Sequence, residues 1–383
     1  MKIALGMIIR SLNSDVELLR FVENAEKYGH KLDCAVVAYT QRLDPNVAES
    51  INKRIPLFTV DVNNPSYCAE QLRLRGLSEN AARTLLDCPV DTSSGMVPYG
   101  YNRTLVLMEA ILRGVDTLFF VDSDVFPSVL RKTPDGLTTE ETDFFGAHLG
   151  FLNTGSQVTT CEYSGYNILP PASFDGMEDL LAGLQKSDML EYWQNSFSHR
   201  SLITQPGEPN IGPCFKILGG NVAMKLSVFS VLPPFFSTHY TVGSELFLSR
   251  GEDTILGAGI ANDGIICTET GVFPLHDTYK NYPSEPDLRG DPATQERFYC
   301  ACTGWVGRNP FLNYIKGSDT QSVRAFQRER LERGLSALAE YTSNPRFKSV
   351  MTNFDMSWDS LGRYISDYKN IFKAWEEFRE RTI

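Results

Sequence analysis

The chain has 383 residues, 42% of them hydrophobic, enough for a large core and one or two domains. Its formal net charge of −11 excludes non-specific nucleic-acid binding, which needs a basic face. An acidic protein still binds an anionic nucleotide when a metal neutralises the phosphates.

The N-terminal apolar stretch is interrupted by Arg10 before it acquires leader character, and no small-residue cleavage site follows, so it reads as a first strand over residues 3–9. Ser14-Asp-Val-Glu17 is a capping-box pattern ahead of Leu18, Phe21, Ala25 and Tyr28 at helical spacing, with Gly29 as the stop. Asp33–Tyr39 and Pro56–Val62 read as strands two and three. Strand, helix, strand in this rhythm implies βαβ units and a largely parallel sheet. Residues 63–98 break it and read as an insertion with short helices at Tyr67–Arg75 and Ser78–Leu86, then a polar loop, Asp91–Tyr99.

Asn102 is placed to cap a helix with Leu105, Met108 and Leu112 on one face, closed by Gly114. The next segment is the most informative: Thr117-Leu-Phe-Phe-Val-Asp-Ser-Asp-Val-Phe-Pro127. A short apolar run bounded by turn residues fits a buried strand of a parallel sheet. Ligands in open α/β sheets bind beyond the carboxyl ends of such strands, so Asp122 and Asp124 fall where a divalent cation meets a phosphorylated ligand. Residues 128–215 are less regular, with an amphipathic segment near Met177–Trp193 and Gly/Pro punctuation at Gln205–Pro213. Motifs resume at Ile217-Leu-Gly-Gly-Asn221, Gly251-Glu-Asp253 and Pro274-Leu-His-Asp277.

From about residue 320 the pattern is helical. Val323, Phe326, Leu331, Leu335 and Leu338 share one face, and Leu361, Tyr364, Ile365, Tyr368, Ile371, Phe372, Trp375 and Phe378 form an apolar stripe. That stripe is expected to pack on the body or on a second copy, making a homo-oligomer through the C-terminal helices an open expectation. No stretch of about 18 apolar residues exists, so no membrane-spanning helix is expected; a cytoplasmic location, or one peripheral to a membrane, follows. The eight cysteines show no zinc or disulfide spacing and read as reduced, mostly buried thiols.

The order Asn102-Arg103, Asp122-Ser-Asp124, Glu252-Asp253, His276 resembles the GT-A class of nucleotide-sugar-dependent glycosyltransferases. The resemblance implies an α/β fold with a Rossmann-type, mostly parallel sheet flanked by helices, and here a helical C-terminal extension. It divides the chain into a catalytic domain at 1–285 and an extension at 286–383. Within the catalytic domain, residues 1–127 would bind the donor and residues 128–285 the acceptor. It implies Mn²⁺ or Mg²⁺ held by Asp124 and His276, with Asp122 reaching the metal through water or binding the donor ribose. Asn102, Arg103 and Ser123 would lie at the donor; Arg10 and Lys280 are further donor-side candidates. Gly219, Gly220 and Asn221 would line the acceptor, with Asp253, or Glu252 beside it, as the carboxylate that deprotonates or orients the acceptor hydroxyl. The implied partners are a UDP- or GDP-sugar and a carbohydrate or other hydroxyl acceptor. The histidine-terminated metal site leans toward retention by family analogy.

Each residue also has a plainer role. Asp-Ser-Asp commonly caps a turn, Glu252-Asp253 suits a helix's first turn, Arg10 and Lys280 suit the surface, and a lone histidine is usually structural. Two rival functions remain. A sugar-nucleotide nucleotidyltransferase would carry a glycine-rich basic loop after strand one, where this chain has Ile9-Arg-Ser-Leu-Asn13. A non-catalytic carbohydrate-binding protein of the same fold would not need acidic residues at both sites.

Overall fold

The computed structural model describes residues 1–93, 95–134, 136–166, 168–190, 210–212, 216–280 and 284–382. The strands are β1 (Ile3–Leu12), β2 (Cys34–Leu43), β3 (Leu57–Asp61), β4 (Thr117–Asp122), β5 (Val125–Thr133), β6 (Gly136–Glu141), β7 (Val158–Thr160), β8 (Asn210–Gly212), β9 (Asn221–Lys225), β10 (His239–Val242), β11 (Glu245–Leu248), β12 (Cys267–Glu269) and β13 (Pro274–His276). The helices up to residue 190 are α1 (Val16–Lys27), α2 (Pro45–Asn52), α3 (Ser66–Leu74), α4 (Glu79–Leu86), α5 (Tyr99–Leu112), α6 (Phe144–Asn153) and α7 (Met177–Gly183).

The main sheet runs β3-β2-β1-β4-β9-β7-β12-β8. β1 lies parallel to both β2 and β4, β2 to β3, and β12 to β7. β9 runs antiparallel between β4 and β7, and β8 antiparallel to β12. This is the expected mostly parallel Rossmann-type α/β sheet. Leu118, Phe119, Phe120 and Val121 of β4 are fully buried because helices cover both faces of the sheet. Phe120 joins the core with α5, and Phe119 the one with α1 and α6.

A small sheet, β13-β5-β6, fixes the site. β5 leaves the main sheet just after Asp124, and β13 returns antiparallel to it, setting His276 opposite Val125. The chain between Asp122 and Asp124 therefore turns beside the end of β13.

Several expectations are corrected. The box at Ser14 does not form: α1 starts at Val16 behind Asp15, whose side chain makes no capping bond. Asn102 is not a cap: α5 begins at Tyr99 behind Pro98, one turn earlier. Within the expected 286–383 extension the helices begin at Pro292, earlier than the periodicity read from about 320, with a helix over Pro292–Ile315 that Asp291 caps through the Ala293 and Thr294 amides. It is followed by helices Thr320–Tyr341, Val350–Asp359 and Leu361–Thr382.

Phe326, expected on one apolar face with Leu331, Leu335 and Leu338, is 52% exposed while those three are buried. The terminal stripe packs within the chain: Trp375 and Phe378 share a core with the sheet, and Glu377 accepts hydrogen bonds from the Ser78 amide and hydroxyl. Of the two expected uses of this stripe, packing on the body is the one seen. Among the described residues no two cysteines are bonded to each other, and five of the seven are buried. Trp193 and most of the 205–213 segment lie outside the described residues. Among the described residues, no helix is long and apolar enough to cross a membrane.

Candidate active site

Arg103 holds the centre together. It lies one turn inside α5 and is 2% exposed. Its Nε donates to Glu252 Oε1 at 2.9 Å, Nη1 to the Gly219 carbonyl at 2.7 Å, and Nη2 to Asp122 Oδ1 at 2.8 Å. Burial alone would lower its pKa, but Asp122 and Glu252 outweigh that and raise it. Burial and Asp253 push the Glu252 carboxyl up while Arg103, whose guanidinium keeps its proton, opposes them. Arg103, expected at the donor, is therefore a buried tie between three segments distant in sequence. Glu252 is likewise enclosed and neutralised.

The two glycines of Leu218-Gly-Gly-Asn221 serve that tie. A Cβ at Gly219 would fall 2.6 Å from Arg103 Nη2, and one at Gly220 2.4 Å from Asp122 Oδ2. Their closeness was expected to admit a sugar; it admits the arginine and the aspartate instead. Asn221, expected at the acceptor, is fully buried. Its Oδ1 accepts from His148 Nε2 at 3.0 Å and its Nδ2 donates to the Cys161 carbonyl at 2.9 Å. Asn102 is fully buried too, and its side-chain Oδ1 and Nδ2 have no hydrogen-bond partner among the described residues.

Asp124 and His276 do come together. Asp124 Oδ1 lies 3.2 Å from His276 Nε2, and Arg297 Nη2 lies 3.7 Å from Asp124 Oδ2. Burial would raise the Asp124 carboxyl; His276 and then Arg297 overcome this and bring it down to about 2. Desolvation would lower His276, but Asp124 raises it. Thr278 Oγ1 sits 3.2 Å from His276 Nδ1 and Tyr163 packs its ring 4.6 Å away, fixing the imidazole plane. Arg20 donates to the Ser123 carbonyl and lies 4.0 Å over the Phe126 ring, pinning the turn between the aspartates.

A cavity of about 670 Å³ opens beside this pair, lined by His276, Tyr163 and Asp253 among others. Asp253 Oδ2 accepts the Gly219 amide at 2.9 Å, and its Oδ1 accepts the Thr254 amide at 2.6 Å. These bonds aim a carboxylate from the first turn of the helix Glu252–Asn262. Arg10 is exposed on β1 against the Gly95 loop, and Lys280 is exposed in a turn. A second cavity of about 510 Å³, near Tyr99, Phe236 and Arg363, contains none of the expected residues.

Among the described residues, no three histidine, cysteine or carboxylate side chains form a metal cluster. The protein offers two ligands, Asp124 and His276, with Asp122 near them. That set suits an ion shared with a ligand's phosphates better than a closed structural site. Sequence reasoning does not reach Arg20, Tyr163 or Arg297. Arg20 and Tyr163 carry no local motif, and Arg297 lies in a helix whose periodicity is obscured.

No family model matches the chain, and no curated protein does. Among solved structures, it is similar to glucosyl-3-phosphoglycerate synthase from Mycobacterium tuberculosis in complex with Mn²⁺, UDP and glucosyl-3-phosphoglycerate. The two are 14% identical, over 83% of this chain and 80% of that one, with a TM-score of 0.41. The same enzyme with Mn²⁺, UDP-glucose and phosphoglyceric acid aligns at 13% identity over 83% and 80%, with a TM-score of 0.40. A mycobacterial protein aligns at 12% over 79% and 74%, with a TM-score of 0.36. Likenesses this distant do not bear on the chemistry, which rests on the geometry above.

Proposed function

We propose that the chain is a metal-dependent glycosyltransferase that moves a sugar from a nucleoside-diphosphate sugar, UDP- or GDP-linked, to an acceptor hydroxyl. The observation that carries this is the Asp124–His276 pair at the tip of β4, 3.2 Å apart, with His276 lining the same cavity as Asp253.

An ionised carboxylate and an imidazole with open positions fit Mn²⁺ or Mg²⁺, and the imidazole favours Mn²⁺. Asp124 and His276 would hold the ion. Bound there, it supplies Lewis-acid neutralisation of the charge developing on the leaving diphosphate. Asp122 has one oxygen held by Arg103 and a side chain 30% exposed, so its other oxygen is offered to the donor ribose or to metal-bound water. Ser123, Arg10 and Lys280 remain donor-side contacts in this reading. Arg103 acts through others: it fixes Asp122, Glu252 and Gly219, and through the Gly219 amide it sets Asp253. Asp253 receives the acceptor hydroxyl and orients it toward the anomeric carbon, taking its proton where the transfer inverts.

Calorimetric titration of UDP and GDP with and without Mn²⁺ tests the proposal. Binding of one nucleotide that needs the metal is expected, with donor hydrolysis abolished in D124A. Metal-independent binding, no binding of either nucleotide, or wild-type hydrolysis in D124A would overturn it.

A further inference from the structure

The cavity beside Asp253 is more positive than a neutral sugar requires. Lys186, Lys216, Arg250, Arg308 and Lys316 reach its lining, against Asp188 and Asp253. Some of that charge is answered locally: Lys216 bonds Glu162 and lies 3.6 Å from Asp188, and Lys186 sits 4.8 Å over the Trp305 ring.

Arg308 is different. It is 3% exposed, yet its Nε has no hydrogen-bond partner. Nη2 donates to Asn309 Oδ1 at 2.9 Å, and Nη1 makes only a long 3.4 Å contact with Thr254 Oγ1. Asp253, Asp188 and Glu252 act on it from a distance, and no described carboxylate forms an ion pair with it. Desolvation lowers it to about 10, so it stays charged at neutral pH. Lys316, an exposed residue lining the same cavity, is lowered by partial desolvation and then by Arg308 itself. An enclosed cation lacking a carboxylate is unfavourable by itself and is relieved by an incoming anion.

The backbone makes room for this arginine. Gly251 is left-handed, with φ of +100°, and a Cβ there would fall 2.7 Å from Arg308 Cδ. The turn carrying Glu252 and Asp253 is thus seated directly on the Arg308 side chain.

We propose that the acceptor bears an anionic group, a phosphate monoester or a carboxylate, which docks on Arg308 with Arg250 and Lys316 beside it, and that this docking turns the acceptor's hydroxyl toward Asp253. The inference rests on reading this cavity as the acceptor site. A guanidinium fork matches either anion with two parallel bonds, and exclusion of water strengthens them.

The test titrates inorganic phosphate and acetate separately into the full chain by calorimetry, for wild type, R308M and K316M, and titrates UDP with Mn²⁺ into the same preparations. One of the two anions is expected to bind wild type and to weaken about tenfold or more in R308M, and less in K316M, with UDP binding unchanged. Binding of phosphate assigns a phosphate monoester, and binding of acetate a carboxylate. R308M is also expected to unfold at the wild-type temperature or above it in anion-free buffer, since it removes an uncompensated charge. Failure of both anions to bind wild type, or equal binding to wild type and R308M, overturns the inference. Failure of UDP to bind wild type instead overturns the glycosyltransferase reading and leaves the anion site standing.

Discussion

Two regions of the site solve the problem of buried charge in opposite ways. Around β4, Arg103 meets Asp122, Glu252 and a carbonyl, and every nitrogen of its fork is bonded. In the neighbouring cavity, Arg308 is as deeply enclosed but has no carboxylate against it and one nitrogen without a partner. The first arrangement is complete without a ligand and serves as scaffold. The second is incomplete, which is the condition for recognition. Burial of an arginine therefore says little about its role until its partners are counted.

The comparison can be broken most sharply at Arg103. R103M should destabilise the fold by about 3–5 kcal/mol, because it strands two carboxylates beneath the site. Urea unfolding measures this; a loss below about 1 kcal/mol would show that the tie is not structural.

Next comes His148, in the same self-satisfied region. Both its ring nitrogens are bonded, to Thr159 Oγ1 at 2.8 Å and Asn221 Oδ1 at 3.0 Å, and burial lowers it to about 4. The unfolded chain takes up the proton nearer pH 6.5, so the contribution is complete above that value and falls away as pH drops toward 4. Up to about 3 kcal/mol should be lost across that window, from the difference between the two pKa values. Unfolding measured from pH 7 to 4 should show this step in wild type and not in H148Q.

On the cavity side, D253N should slow glycosyl transfer about a hundredfold while leaving UDP binding intact, as steady-state kinetics with a UDP titration would show. The smallest effect is expected at Ser78, which caps α4 and bonds Glu377 of the last helix. S78A should cost about 1 kcal/mol in thermal unfolding and leave transfer untouched.

The fold's centre is legible in the sequence because Thr117–Val121 is a continuous apolar run ending in two carboxylates, a pattern that admits few placements. That His276 belongs with Asp124 comes from the resemblance in motif order, and no local pattern around His276 reports it. Arg103 stands out in the sequence but its role does not, since its orientation depends on Glu252 and Gly219, more than a hundred positions away, and nothing local reports that. Asn102 looks like a cap because Pro98-Tyr-Gly100 resembles the end of a loop; the helix starts there instead. The helix Pro292–Ile315 is hard to read because Gly304, Gly307 and Pro310 interrupt its periodicity. In the structure those glycines let neighbours press close: a Cβ at Gly304 would meet Arg250 at 2.7 Å, and one at Gly307 would meet Tyr240 at 2.7 Å. Arg308 is hidden in the same stretch, where an arginine among small and apolar residues is the available signal.

That helix has a further consequence. Arg297 and Arg308 are separated by three turns, about 16 Å along the axis, and point within about 20° of each other. One end of the rod stands against Asp124, the other at the cavity floor. A single stiff element thereby gauges how far apart the two ends of a bound molecule can be. Lengthening it by one turn should change which acceptor sizes are admitted.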